Sequence, residues 1–107
     1  MDPVEDVRFN ETIFEAVNEG LLALGESVRH AIYYYIAKIY QIKCEEIPDR
    51  IAEFHEALRG LFGAGAEALE RLIAKKLYEK LDLSFEEHEN WTFVEYVENA
   101  KKATEGS

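Results

Sequence analysis

Cysteine is all but missing from this chain: Cys44 is the single thiol in 107 residues. One cysteine excludes an internal disulfide and a cysteine-based zinc cluster. Beside Lys43, where an apolar stretch turns polar, it reads as a half-buried structural thiol; a redox or nucleophilic role would require a lowered thiol pKa. Proline occurs twice, and no Pro- or Ser-rich linker, strict repeat or low-complexity tract divides the chain. Long apolar runs are missing too, and none approaches the roughly 20 residues that a membrane-spanning helix requires. The opening Met1-Asp2-Pro3-Val4-Glu5-Asp6 has no basic region leading into an apolar stretch. The expectation is therefore a soluble, cytoplasmic protein without a signal peptide. Positive charge is scarce: 12 Lys and Arg face 22 acids, a formal charge of −10. Such a balance opposes association of the whole molecule with nucleic acid or an anionic membrane.

What the chain does contain is helix-forming and apolar. Its 48% apolar content argues against disorder. At this length about two-thirds of the unfolded surface can be buried, enough for a real core in one domain. That domain is expected to span 1–107, with an ordered core over about 9–103. Eighteen of the acids are Glu and four are Asp, a bias that suits an all-helical protein because Glu is the better helix former.

Local signals divide the chain into about five amphipathic helices. The first is expected over about Asn10 to Leu24, with Asn10 as N-cap and Phe9 and Phe14 as a hydrophobic staple; Asp2-Pro3 is an alternative start. Ile13, Phe14, Val17, Leu21 and Leu24 give it an apolar face, Gly20 weakens it, and Gly25 closes it in the left-handed region. A second helix, about Glu26 to Ile42, carries two apolar lines: Val28, Ile32, Tyr35, Ile39 and Ile42, and beside it Tyr33, Ile36 and Tyr40. So wide an arc predicts a central helix with neighbours on two or three sides. A third, about Pro48 to Phe62, packs Ile51, Phe54, Leu58, Leu61 and Phe62 and stops at Gly63. The fourth, Gly65 to Leu81, turns Leu69, Leu72, Ile73, Leu77 and Leu81 inward. Its Glu67 and Glu70 near the start and Lys75, Lys76 and Lys80 near the end complement the helix dipole, and Glu67 and Arg71 form a correctly ordered i,i+4 pair. Leu83 to Phe85 is expected to be a short extended piece. Thr92-Phe93-Val94-Glu95 is a capping box, with Trp91 and Tyr96 as its staple, opening a last helix to about Ala103. The tail from Thr104 to Ser107 is expected to fray. Together these give an all-α, compact single domain of bundle-like or orthogonal packing.

Few residues invite chemistry. His30, His55 and His88 occur in no Glu-x-x-His or His-Glu-x-x-His pattern, so no metal is implied. His55 reads as a helix-surface or boundary residue and His88 as a solvated loop residue. Gly63-Ala64-Gly65 lacks the strand and lysine of a phosphate loop and reads as a helix stop and restart. Ser27, Ser84 and Ser107 lie in no nucleophile elbow. With so many Glu, paired carboxylates read as a solvated face. No catalytic residue and no cofactor follows, and the expectation is a protein that is not an enzyme.

One segment departs from the acidic average. From Ser27 through Cys44 there is no acid, and Arg29, Lys38 and Lys43 give a formal charge of +3. Glu45 to Glu56 then holds five acids and one Arg. Arg29, His30, Tyr34 and Lys38 are the candidate interaction surface, a basic stripe suited to an acidic protein partner or to another copy of the chain. The alternative is that these cations pair internally with the Glu excess. Tyr33 and Tyr40 are candidate lining for a ligand pocket between helices, with ordinary core packing as the competing reading. Within the three consecutive tyrosines, helical geometry places Tyr35 in the core line and turns Tyr34 alone toward His30 and Lys38. A helix-turn-helix reading of residues 24–43 fails for want of positive charge near the start of the second helix.

Several stretches resemble a small archaeal family grouped as a Nitrosopumilus-type output domain, earlier carried as a family of unknown function. They are Leu24-Gly25-Glu26-Ser27-Val28, Ala31-Ile32-Tyr33-Tyr34, Glu46-Ile47-Pro48, Leu61-Phe62-Gly63-Ala64-Gly65-Ala66, Leu77-Tyr78-Glu79-Lys80-Leu81 and Trp91-Thr92-Phe93, and they span about Asn10 to Lys102. The resemblance implies a domain found attached to archaeal signalling or clock-type ATPase modules, hence a regulatory or protein-interaction role, and brings no catalytic residues. These 107 residues are expected to hold no second module, so the implied role is that of a stand-alone adaptor or ligand sensor acting in trans.

Overall fold

Helical propensity and apolar periodicity dominate the chain, and the computed structural model, which describes residues 3–105, is accordingly all-α. Five helices run in the order α1 (Pro3–Leu22), α2 (Glu26–Tyr40), α3 (Ile51–Phe62), α4 (Ala66–Lys80) and α5 (Phe93–Glu105) among the described residues. Two 3-10 turns, Cys44–Asp49 and Gly63–Gly65, flank α3. They pack into one body with a radius of gyration of 13.3 Å, the value expected of a compact domain of about 100 residues. No strand forms among the described residues, and none of their helices is long and apolar enough to cross a membrane.

The first helix starts a full two turns earlier than Asn10. Pro3 occupies its first turn, as proline's fixed φ allows; Asp2 lies outside the described residues. Asn10 is therefore no cap. It sits inside the helix and its side-chain amide donates to Asp49 Oδ1 at 3.0 Å. Phe9 is buried and continues the face made by Ile13, Val17 and Leu21, so the expected staple is part of the core stripe instead.

Gly25 links α1 to α2 with φ of 112° and ψ of 149°, a conformation that any side chain would strain. At the far end of α2, Gln41 adopts the left-handed conformation and its N–H returns to the carbonyl of Ile36. Pro48 falls in the 3-10 turn, three residues before α3 begins. Gly63, with φ of 57°, ends α3 as expected. Leu83 and Phe85 are not extended strand; they are partly buried against the core. The last helix continues through Thr104 and Glu105, with Thr104 Oγ1 donating to the Lys101 carbonyl at 2.8 Å. The expected fraying from Thr104 is thus not seen, and Gly106 and Ser107 lie outside the described residues.

The central helix is α4, not α2. It packs against α1, α3 and α5, and Ala66, Leu69, Ile73, Ala74, Leu77 and Tyr78 are buried along it. Each large apolar side chain so buried stabilises the fold by about 1.5–3 kcal/mol relative to exposure. Gly20 explains how closely α1 approaches: a Cβ placed there would lie 2.6 Å from Cγ1 of Ile73. At the other face, Tyr78 donates its hydroxyl hydrogen to the carbonyl of Tyr96 at 2.7 Å and accepts from the Asn99 amide at 3.1 Å. This buried hydroxyl ties α4 to α5. Phe85 stacks on Tyr96 at 5.2 Å and meets Tyr78 edge-on at 5.3 Å, closing the core beneath the connection.

Candidate functional site

The second helix packs on α1 and α3 along one narrow line, and within it only Ile32 and Ile36 are buried. Val28, Tyr35 and Ile39, of the same apolar line as Ile32, face outward, as does the neighbouring Tyr34. Val28 is 39% exposed, Tyr35 47%, Tyr34 56% and Ile39 57%. Val28, Tyr35 and Ile39 were expected in the core, and this correction has a simple geometric cause. Both lines of α2 are apolar, but its neighbours cover just the arc around Ile32 and Ile36. Leu24, in the turn before α2, is exposed as well. Within α2 the spacing along Val28, Ala31, Tyr35 and Ile39 is three, four and four, so the stripe runs down one side of the helix.

The candidate basic residues divide. Arg29 is turned inward: Nη1 donates to Asn18 Oδ1 at 2.8 Å, and Nη2 lies 3.6 Å from Glu26 Oε1. Its Nε is buried without a partner among the described residues. His30 is exposed. Lys38 reaches over Tyr34, 3.1 Å from the hydroxyl and 5.4 Å from the ring centre. Tyr34 and Tyr35 meet edge to face at 5.4 Å. The surface that is brought together is therefore Tyr34, Tyr35, Lys38 and the apolar stripe, bordered by His30, with Arg29 serving as an internal strut.

Tyr33 and Tyr40 are spent on packing. The hydroxyl of Tyr33 donates to Asn18 Oδ1 at 3.2 Å, and burial, with the nearby Cys44, pushes its pKa up to about 12 against the pull of Arg29. Tyr40 lies over Gly60 of α3, where a Cβ would meet its hydroxyl. It also lines an open surface depression of about 290 Å³ with Ile42, Ala52, Glu53 and Glu56.

A cleft lies elsewhere, between α3, α4 and the connection into α5. Its volume is about 370 Å³. Glu70, 5% exposed, is set among the inner residues of α4 and accepts a hydrogen bond from, or shares a proton with, Nδ1 of His55 on α3. Burial holds the Glu70 carboxyl above the ordinary range, in spite of the opposing His55 hydrogen bond. Arg71 bridges Glu67 at 3.3 Å and Glu87 at 3.4 Å. The opposite wall is aromatic: Trp91 meets Tyr96 edge-on at 5.2 Å, as its expected staple, and stacks on His88 at 3.9 Å. The expected capping contact is present but long, with Glu95 Oε1 3.5 Å from the Thr92 N–H.

His55 is thus a boundary residue, and His88 is exposed in the connection as expected, with its ring stacked on Trp91. Glu70 was obscured by its position in the first turns of a helix, where an acid is expected for its charge alone. The signal that does identify it is its register: Glu70 lies four residues after Ala66 and three before Ile73, on the inner face. Among the described residues no group of three or more His, Cys, Asp or Glu is placed to hold a metal ion. Comparison with protein-family models, curated proteins and solved structures finds no match.

Proposed function

We propose that this chain is a non-catalytic interaction domain that works by pairing with a second copy of itself through α2. The observation that carries the reading is the uncovered stripe of Val28, Tyr35 and Ile39 on a helix otherwise anchored by Ile32 and Ile36. Aromatic and apolar side chains grouped on one exposed face are the composition of an interface centre. The apolar stripe, rather than charge, favours a second copy at this face. Two molecules of net charge −10 repel, and α2 from Ser27 onward is where they can approach without opposing carboxylates. Ala31, small and exposed beside Tyr35, leaves room for the ring of a symmetry-related Tyr35 in an isologous pairing.

The role is regulatory and cytoplasmic, in keeping with the resemblance to the archaeal output family, and it requires no cofactor. Salt dependence separates self-pairing from docking to an acidic protein. Pairing of two like-charged copies through an apolar stripe strengthens as salt screens their repulsion, whereas docking of basic α2 on an acidic protein weakens. Light scattering across a concentration series, at low and at high salt, is the test. The expected result is a mass of twice 12.3 kDa that is favoured at high salt and lost in Tyr35→Glu and Ile39→Glu. A monomer at every concentration and salt overturns the reading.

A further inference from the structure

The cleft beside α4 has no part in pairing through α2, and it is built as a binding site. Its floor is the Glu70–His55 pair. Glu70 Oε1 has no donor among the described residues and is not sealed from solvent, and the same holds for Nε2 of His55. A carboxylate oxygen held at the bottom of a cleft accepts hydrogen bonds and favours positive charge. The surrounding charge has the same sign. Glu67 and Glu87 are taken up by Arg71, while Glu70 and Glu89 against Arg59 leave the cleft acidic, and Arg59 stands exposed one helical turn from His55. The wall of Trp91, Phe93 and Tyr96 supplies apolar surface and aromatic faces, which attract cations electrostatically. At about 370 Å³ the space is at the lower end of small-molecule pockets.

We propose that this cleft binds a small organic ammonium ion, its charged nitrogen on Glu70 and its apolar body against Trp91 and Tyr96. A bound cation offsets the unfavourable burial of the Glu70 carboxylate, so affinity is concentrated at that contact. His55 is a positioning residue: its bond to one carboxylate oxygen fixes the other toward the cleft.

Trp91 is the sole tryptophan, so its fluorescence reports on this site alone. The full chain is titrated with phenethylamine and, separately, with phenylacetate, which has the same ring and the opposite charge. The expected result is a saturable Trp91 change with phenethylamine, accompanied by amide NMR shifts at Glu70, Trp91 and Tyr96, and no saturation with phenylacetate over the same range. Glu70→Gln, checked for helicity by circular dichroism, is expected to bind phenethylamine at least tenfold more weakly. Absence of a saturable response to phenethylamine, equal binding of phenylacetate, or unaltered binding in folded Glu70→Gln each overturns the proposal. Should Glu70→Gln fail to fold, the contrast between the two probes on the unaltered chain decides it.

Discussion

Arg29 on α2 and Asn18 on α1 are joined by a 2.8 Å hydrogen bond from Nη1 to Oδ1, and Tyr33 donates to the same oxygen at 3.2 Å. One amide therefore accepts from two side chains of the neighbouring helix. Asn18→Ala removes the acceptor and leaves a partly buried guanidinium short of a partner. Loss of a hydrogen bond to a charged group predicts a destabilisation of about 2 kcal/mol. Urea unfolding followed by circular dichroism checks it, and an unchanged midpoint would show that Arg29 finds an equivalent partner in water.

Gly20 poses an opposite trade. Alanine improves helix propensity by about 1 kcal/mol, yet its Cβ would press on Ile73 Cγ1 at 2.6 Å, and Ile73 is fully buried. Overpacking of a tight core costs about 1–3 kcal/mol. Gly20→Ala is therefore expected to lower the melting temperature. A rise would mean that α1 and α4 separate slightly without loss.

Glu70 links stability to pH. Burial raises its carboxyl in the folded state; His55 and Arg59 from α3 pull it down, and Glu67 on α4 adds to the rise. The folded chain thus holds this proton to higher pH than the unfolded chain does. Between the unfolded Glu value of about 4.3 and the raised folded value, stability falls as pH rises. Glu70→Gln keeps the shape and the acceptor for His55 but removes the ionisation. The melting temperature of the variant relative to the unaltered chain is expected to climb across that window. A constant difference from acid to neutral pH would contradict this.

The sequence made the helices legible because their stops are chemical: Gly25 and Gly63 adopt positive φ where α1 and α3 give way, and Trp91 meets Tyr96 at the entry to α5. The all-α class followed directly. Placement did not. Val28, Tyr35 and Ile39 lie on the same apolar line as the buried Ile32, and periodicity cannot tell how much of a wide apolar arc a neighbour will cover. Asn10 has the chemistry of a cap, but the backbone is already helical over residues 3–9 and Pro3 offers an earlier start. For the candidate surface, Tyr34 and Lys38 stand together and outward, whereas Arg29 depends on Asn18, a partner in another helix. The cleft was hidden for the same reason: His55 and Glu70 are fifteen residues apart and meet only through the packing of α3 on α4.

The contact between Gly20 and Ile73 also governs how the chain reaches its fold. The main neighbour of α1 is α4, which is made from the other half of the sequence, so α1 completes its packing only when α4 exists. Closing that loop orders much of the chain before its strongest contact forms, which slows folding relative to a bundle of sequential neighbours. During synthesis the contact of the first helix with the fourth forms only after α4 emerges. The chain is in this sense a single cooperative unit whose two halves stabilise each other, and neither half holds a complete core of its own.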